Sequence, residues 1–402
     1  MKIIHTGDWH IGKIVNEFSM IEDQRYLLNK LIELIKDEKP DVLIIAGDVY
    51  DRSIPPVEAV ELLNDVFKEV LIENKVKILA IAGNHDSAER LTFGSSILEK
   101  HGLFIVGNIE NEFKKVTIRK EDKNFNFFLI PYVEPAVLRK KYEDKSIKNH
   151  NDVMKFIVDK IKKEMDNSEI NIAVAHGYVT LNREKALEHD DEEERYKAAE
   201  IEVSDSERPL SIGGTDLIDG EIFSEFDYVA LGHLHGRQKV GKECIRYSGS
   251  LLKYSFSEVN HKKGVTIIEI DDRNSINIRN KELTPMRDMR IIRGPLEELI
   301  EVARQSENGR EDYIQAILTD KGELIDPIGK LRAVYPNIML LRKEERNSVM
   351  DSLTAASEGY KSKSEIELFK EYYERLGEGE FSKEKEEVII NVIKEALTRE
   401  EL

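Results

Sequence analysis

The stretch DVLIIAGD, residues 41–48, is an unbroken apolar run closed by glycine and aspartate. A run with no polar alternation reads as a strand buried on both faces, the signature of a sheet covered by helices. The same reading applies on either side of it. KIIHTG (2–7) and VKILAIAGNHD (76–86) are further buried strands. Between them, MIEDQRYLLNKLIELIKDEKP (20–40) carries Ile21, Leu28, Leu31 and Ile35 on one helical stripe and stops at Pro40. PPVEAVELLNDVFKEVLIEN (55–74) is the next helix, with Pro56 suited to its first turn, and ERLTFGSSILEKHG (89–102) reads as a third. Alternating strands and helices define a βαβαβ layer structure.

Farther along, residues 112–132 read as a hairpin with Lys123 and Asn124 at its turn, followed by charged helical sequence to 168. EINIAVAHGYV (169–179), FDYVALGHLHGR (226–237), CIRYSGSLL (244–252) and KKGVTIIEID (262–271) are strand-like. Strands in both halves with helices outside give an α/β fold, a two-sheet α/β sandwich spanning 1–274. From 275 the pattern resets into a compact βαβαβ unit at 275–346. Polar sequence at 347–362 reads as a linker. Helical stretches fill 363–402, with Ile366, Phe369, Tyr373 and Leu376 at helical spacing in the first and Val388, Ile389, Val392, Ile393, Ala396 and Leu397 in the second. No solenoid-period repeat is present.

The bulk numbers bound the function. With 78 acidic against 60 basic residues the formal charge is -18, which argues against nucleic-acid binding by bulk positive charge but not against local patches or a bound metal. A single cysteine, Cys244, excludes a disulfide framework and a thiolate metal site and fits a reducing cytoplasm. No signal peptide and no apolar run of membrane-spanning length is evident, so no membrane association is expected.

Five buried runs end in acids, amides or histidines: IIHTGDWH (3–10), VLIIAGD (42–48), LAIAGNHD (79–86), IAVAHG (172–177) and VALGHLHG (229–236). Strand carboxyl ends are where open α/β sheets bind ligands. The residues offered are Asp8, His10, Asp48, Asn84, His85, His176, His233 and His235, a set of imidazole, carboxylate and amide groups without sulfur. Such donors suit Mn²⁺, Fe²⁺, Zn²⁺ or Mg²⁺. A carboxylate such as Asp48 can bridge two ions, and a paired-ion site can activate water and neutralise a phosphate. Singly, GD after a strand reads first as a turn and a lone strand-end histidine as a capped polar residue, GNHD reads equally as turn or ligand, and GHLHG favours a metal because alternation puts both imidazoles on the same side. Five of the ten histidines gathering at strand ends is the stronger fact.

Taken in order, GDWH, AGD, AGNHD, AHG and GHLHG resemble the signature of calcineurin-like metallophosphoesterases. The longer forms IIHTGDWHIG, LIIAGDVYDRSIPP, AIAGNHDSAERL, SERPLSIGG (206–214) and ALGHLHGRQ resemble, within that superfamily, the double-strand-break repair nuclease family. The resemblance implies two divalent ions, Mn²⁺ by preference, one held by Asp8, His10, Asp48 and His235 and the other by Asp48, Asn84, His176 and His233. It implies His85 as the catalytic histidine, with Asp86 orienting its imidazole. Asp51 stands where some relatives carry a second active-site histidine and is expected at most behind the ligands. The resemblance further implies that 275–346 is a capping domain. It implies 3′→5′ exonuclease action on duplex DNA and endonuclease action on hairpins and single strands. It also implies a homodimer, and an SbcC-type SMC-like ATPase partner bound through the C-terminal helices.

Two features stand outside that scheme. The acidic run EHDDEEE (188–194) reads as a solvated loop. Trp9, the sole tryptophan, sits between two expected ligands and reads as packing, with base stacking as the alternative. Two rival functions share the motifs: a phosphodiesterase of small diesters such as cyclic nucleotides, and an inactive scaffold. The cap and tail argue against the first, and the complete ligand set against the second.

Overall fold

The computed structural model describes residues 1–344 apart from 110–112, 208–215, 274 and 306–307, and beyond them only residues 370, 389 and 390. A boundary at Arg342–Lys343 separates the first unit from the remainder of the chain. The expected linker and C-terminal helices, and the partner contact assigned to them, lie outside the described residues.

The first unit begins β1 (Lys2–Thr6), α1 (Ile21–Glu38), β2 (Val42–Ala46), α2 (Val57–Lys68), β3 (Lys77–Ile81) and β4 (Leu103–Val106). It continues β5 (Lys115–Lys120), β6 (Lys123–Leu129), α3 (Pro135–Tyr142), α4 (His150–Lys162), β7 (Ile170–His176) and β8 (Tyr228–Gly232). Then come β9 (Gln238–Val240), β10 (Lys242–Tyr247), β11 (Gly264–Asp272) and β12 (Ser275–Glu282). They form two six-stranded sheets, β12-β11-β1-β2-β3-β4 and β9-β10-β8-β7-β6-β5. Strands β1 to β4 run parallel, as do β6, β7, β8 and β10.

The sandwich follows from the alternation within the apolar runs. Ile3, Val42, Ile44, Ala46 and Leu79 face Phe125, Phe127, Ile172, Val174 and Ala230 of the other sheet. Their neighbours Ile4, Leu43, Ile45 and Ile78 pack outward against Leu28, Leu31 and Ile35 of α1 and Leu62 and Val66 of α2. Ala173, Ala175, Val229 and Leu231 do the same against Val153, Ile157 and Ile161 of α4. Fully burying one such aliphatic side chain is worth about 1.5–3 kcal/mol. The strands that are apolar on both faces therefore fix the two-sheet arrangement.

Four local expectations are corrected. The helix expected over 89–102 is two short pieces, Ala88–Leu91 and Ser95–Leu98, because Gly94 between them is left-handed at φ 74°. The 112–132 hairpin turns at Glu121 and Asp122, not at Lys123 and Asn124, with Lys120 paired to Lys123 and Glu121 at φ 55°. Pro56 precedes α2 as its N-cap, just outside the first turn. The boundary at 274 is also displaced, because β12 pairs with β11 as the edge of the first sheet, so residues 275–282 belong to the sandwich.

Beyond the sandwich, the same unit ends in a small layer of β13 (Met289–Gly294), α5 (Leu296–Gln305), β14 (Tyr313–Leu318), α6 (Pro327–Arg332) and β15 (Ile338–Lys343), with sheet order β13-β14-β15. Leu299, Ile300, Ala303, Ile314, Ala316 and Leu331 give it a core of its own. It is seated on the sandwich at two consecutive residues. Arg287 Nη1 donates to Asp23 Oδ2 at 2.8 Å beside the Tyr313 hydroxyl, which donates to the same oxygen at 2.6 Å. Asp288 Oδ1 pairs with Lys253 Nζ at 2.8 Å. Among the described residues no helix is long and apolar enough to cross a membrane.

Candidate metal centre

All five strand ends meet at one edge of the sandwich. His176 closes β7 and His233 follows β8, while Asp8, Asp48 and Asn84 follow β1, β2 and β3. Cross-sheet hydrogen bonds lock the edge together. His233 N–H donates to Asp8 Oδ1 at 2.8 Å, and His176 Nδ1 lies 2.9 Å from Ala46 O. Glycine permits this approach: a Cβ on Gly232 would stand 1.7 Å from Ala46 O, and one on Gly83 2.1 Å from Asp48 Oδ1. The turns are tight enough that Asp8 (φ 54°), His10 (φ 45°), Asp48 (φ 48°) and His233 (φ 110°) all hold positive φ.

Asp48 is the hub. Its Oδ2 lies 3.6 Å from His10 Nε2 and 3.5 Å from His176 Nε2, and its Oδ1 accepts the His85 N–H at 2.9 Å. On one side, His10 Nε2 and His235 Nε2 are 3.1 Å apart. On the other, Asn84 Oδ1 lies 2.9 Å from His176 Nε2 and 3.0 Å from His233 Nδ1. The structure thus brings together Asp8, His10, Asp48, Asn84, His176, His233 and His235. Asp8, His10 and Asp48 form one cluster of potential metal-holding groups, and Asp48, His176 and His233 another.

This donor set fits divalent cations. With His176 neutral and its Nδ1–H directed at the Ala46 carbonyl, its Nε2 lone pair would face the Asn84 carbonyl oxygen and the Asp48 carboxylate, acceptors facing acceptors, so the arrangement needs either a proton or a cation between them. Buried Asp8 Oδ2 and His233 Nε2 have no hydrogen-bond partner among the described residues, although buried polar atoms ordinarily find one. Burial holds the His10 and His233 imidazoles well below their ordinary range and His235 also below it, so they present lone pairs. His176 moves the other way, to about 9. Burial opposes the shift, but the Asp48 and Asp8 carboxylates outweigh it, which marks this as the place where the site most attracts positive charge.

His85 is half-buried at the rim, its ring edge-on to His10 with centroids 4.8 Å apart. Its Nδ1 lies 2.9 Å from the Asp51 carbonyl oxygen. Asp86 does not orient it. The Asp86 carboxylate instead accepts backbone N–H bonds from Val49 (3.0 Å), Tyr50 (2.9 Å) and Gly83 (3.0 Å), tying the β2 and β3 turns together. Asp51 stands behind His10, with its Oδ1 3.5 Å from His10 Nδ1 and 2.7 Å from Lys13 Nζ. Trp9 is 1% exposed, donates Nε1–H to Thr6 Oγ1 at 3.0 Å and packs in the first sheet's outer core, which rules out base stacking. The acidic run forms the exposed start of a helix, Glu192–Ala199, with Asp191 as its cap.

Several supports escaped the sequence reading. Gln24 of α1 spans the β1 turn, accepting the Gly12 N–H at 2.9 Å and donating to His10 O at 2.7 Å. Glu207 accepts the His235 N–H, and Ser206 Oγ lies 2.7 Å from His235 Nδ1. Behind Ser206 lies a buried Glu258–Lys263 pair at 2.5 Å. Each is a lone polar residue with no characteristic spacing. Only SERPLSIGG carried a signal, and its Ser206 and Glu207 are the described part.

Residues 1–237 match the calcineurin-like phosphoesterase family, and the chain belongs to it. Residues 285–376 match a second family, described as the type 5 capsule protein repressor C-terminal domain. More particularly, the chain is 33% identical over 401 residues to the SbcD component of nuclease SbcCD from Staphylococcus epidermidis, covering 100% of both chains. A solved dimetal phosphatase from Danio rerio aligns at 10% identity and a TM-score of 0.40, over 71% of this chain and 98% of that one. Divalent metal binding accords with both the family and the clustered ligands.

Proposed function

We propose that this chain is the nuclease component of an SbcCD-type complex, a two-metal phosphodiesterase that cuts DNA phosphodiesters. Its activities would be 3′→5′ exonuclease on duplex ends and endonuclease at hairpins and single strands, in DNA repair and recombination in the cytoplasm. The observation that carries the reading is the gathering of six ligand-type side chains around Asp48, in a chain that aligns end to end with a nuclease component. Asp8, His10, Asp48 and His235 would hold one ion, and Asp48, Asn84, His176 and His233 the other, with Mn²⁺ the preferred metal. Bound divalent ions neutralise phosphate charge and lower the pKa of the attacking water.

The chain's own residues supply the rest. His85, entering the step as imidazolium with its Nδ1–H donating to the Asp51 carbonyl, gives its Nε2 proton to the leaving oxygen and is left as the neutral Nδ1–H imidazole. Lys13, paired to Asp51, fixes the backbone that holds His85. The net charge of -18 leaves attraction of DNA to the metals and to the ATPase partner. Residues 363–402, joined by 347–362, would dock an SbcC-type SMC-like ATPase as amphipathic helices. A second copy of the chain would use the exposed apolar side chains Val57 and Val60 of α2 with Phe93 and Ile97.

The test compares a DNA hairpin and a cyclic nucleotide side by side, with Mn²⁺ and with chelator. Cleavage of the hairpin that chelator abolishes is expected, whereas strong cyclic nucleotide cleavage with inert DNA overturns the reading. His85→Ala is expected to keep metal binding while losing about 10²–10⁴-fold in duplex cleavage. Unchanged cleavage would remove His85 from its role.

A further inference from the structure

His235 and His176 occupy corresponding places in the two proposed ligand sets, but they are oriented by different means. His176 Nδ1 is fixed by a main-chain carbonyl, Ala46 O, at 2.9 Å. His235 Nδ1 meets a side-chain hydroxyl, Ser206 Oγ, at 2.7 Å. That hydroxyl lies 2.6 Å from Glu258 Oε1. Glu258 is 0% exposed and lies 52 residues along the chain from Ser206.

The direction of every bond in this chain is forced. Lys263 Nζ, itself buried, has three donors and three acceptors: Glu258 Oε2 at 2.5 Å, His235 O at 2.8 Å and Ser250 Oγ at 2.9 Å. A carboxylate paired to a buried ammonium is ionised and only accepts. Glu258 Oε1 accordingly receives the Ser206 hydroxyl proton, together with Ser255 Oγ–H at 3.1 Å. Having given its proton away, Ser206 can only accept from His235, so Nδ1 carries the proton. The direct Nδ1 to Glu258 Oε1 contact, at 3.4 Å, is longer and weaker than the 2.7 Å contact to the serine.

We propose that Glu258, acting through the Ser206 hydroxyl, is the positioning residue of His235, holding the tautomer in which Nε2 presents its lone pair on the side where it meets His10. An unconstrained histidine side chain favours the opposite tautomer, so the relay holds the ring in its less favoured state. Partners of this kind behind a ligating histidine typically change metal affinity 10–100-fold. The proposal rests on the reading of His235 as a metal ligand. It also gives the SERPLSIGG stretch a task, because Ser206 and Glu207 both grip His235.

The experiment uses the full chain, titrated with Mn²⁺ by calorimetry, and ¹⁵N-histidine NMR of the chelator-treated protein to read the His235 tautomer. Ser206→Ala is expected to weaken one of two sites about 10–100-fold, spare the other, and shift His235 toward Nε2–H. Ser206→Thr, which keeps the hydroxyl, restores both. Glu258→Gln combined with Lys263→Met removes the charged pair without leaving one charge buried, and gives the same one-site loss. Ser206→Ala with both affinities and the tautomer unchanged overturns the proposal, as does equal loss at both sites that threonine does not rescue. Absence of Mn²⁺ binding in the unmodified chain overturns the metal reading itself, and the two failures are thereby distinct.

Discussion

Arg287→Leu tests how the small layer is seated. The substitution removes the only cation hydrogen-bonded to Asp23 among the described residues, and Asp23 is 0% exposed. Breaking a buried pair by removing one partner costs about 3–5 kcal/mol, because the remaining charge stays desolvated. Two features lower the figure here. The Tyr313 hydroxyl still donates to Asp23 Oδ2, and the Arg287 side chain is 23% exposed, so part of its charge is already solvated. The expected loss is about 3 kcal/mol. Adding Asp23→Asn to Arg287→Leu removes the stranded charge and should recover most of it, leaving a deficit of about 1 kcal/mol for the lost hydrogen bond. Urea unfolding of the four proteins of this double-mutant cycle, followed by circular dichroism, reads the coupling. An Arg287→Leu protein within about 0.5 kcal/mol of the unmodified chain would refute the reasoning. So would a double variant whose loss equals the sum of the single losses.

Two further outcomes follow from the site. Gly232→Ala drives a Cβ into the Ala46 carbonyl oxygen across the sheets, so it should lower stability by about 1–3 kcal/mol or more and abolish Mn²⁺ binding; normal thermal unfolding together with normal calorimetry would contradict the close approach. Trp9 is the sole tryptophan and lies between Asp8 and His10, so paramagnetic Mn²⁺ should quench its emission, Mg²⁺ should not, and chelator should restore it. Emission indifferent to saturating Mn²⁺ would place the ion elsewhere.

The sandwich was legible because its central strands are apolar on both faces, and runs such as VLIIA admit little else. The ligand-type residues were legible for the same reason, since each follows such a run. Strand β12 was not, because SINIRNKE is a polar edge strand with most side chains in or near solvent, and only its pairing with β11 assigns it. The break at Gly94 depends on one left-handed residue within an otherwise helical pattern. Asp86 was misjudged because adjacency in sequence suggested a partner for His85, whereas its carboxylate reaches back to three amides of neighbouring turns. Gln24, Ser206 and Glu258 act across 12 to 52 residues of chain, a range at which a single sequence carries no signal.

The left-handed backbone at Asp8, His10, Asp48 and His233 has a consequence for anyone selecting hardier versions of this protein. A non-glycine residue held there costs on the order of 1 kcal/mol, which a glycine would relieve. Selection for thermal endurance alone would therefore favour glycine at the residues that gather around Asp48, and a library ranked by survival would enrich for inert proteins. A screen that keeps function must score divalent-ion binding alongside heat resistance.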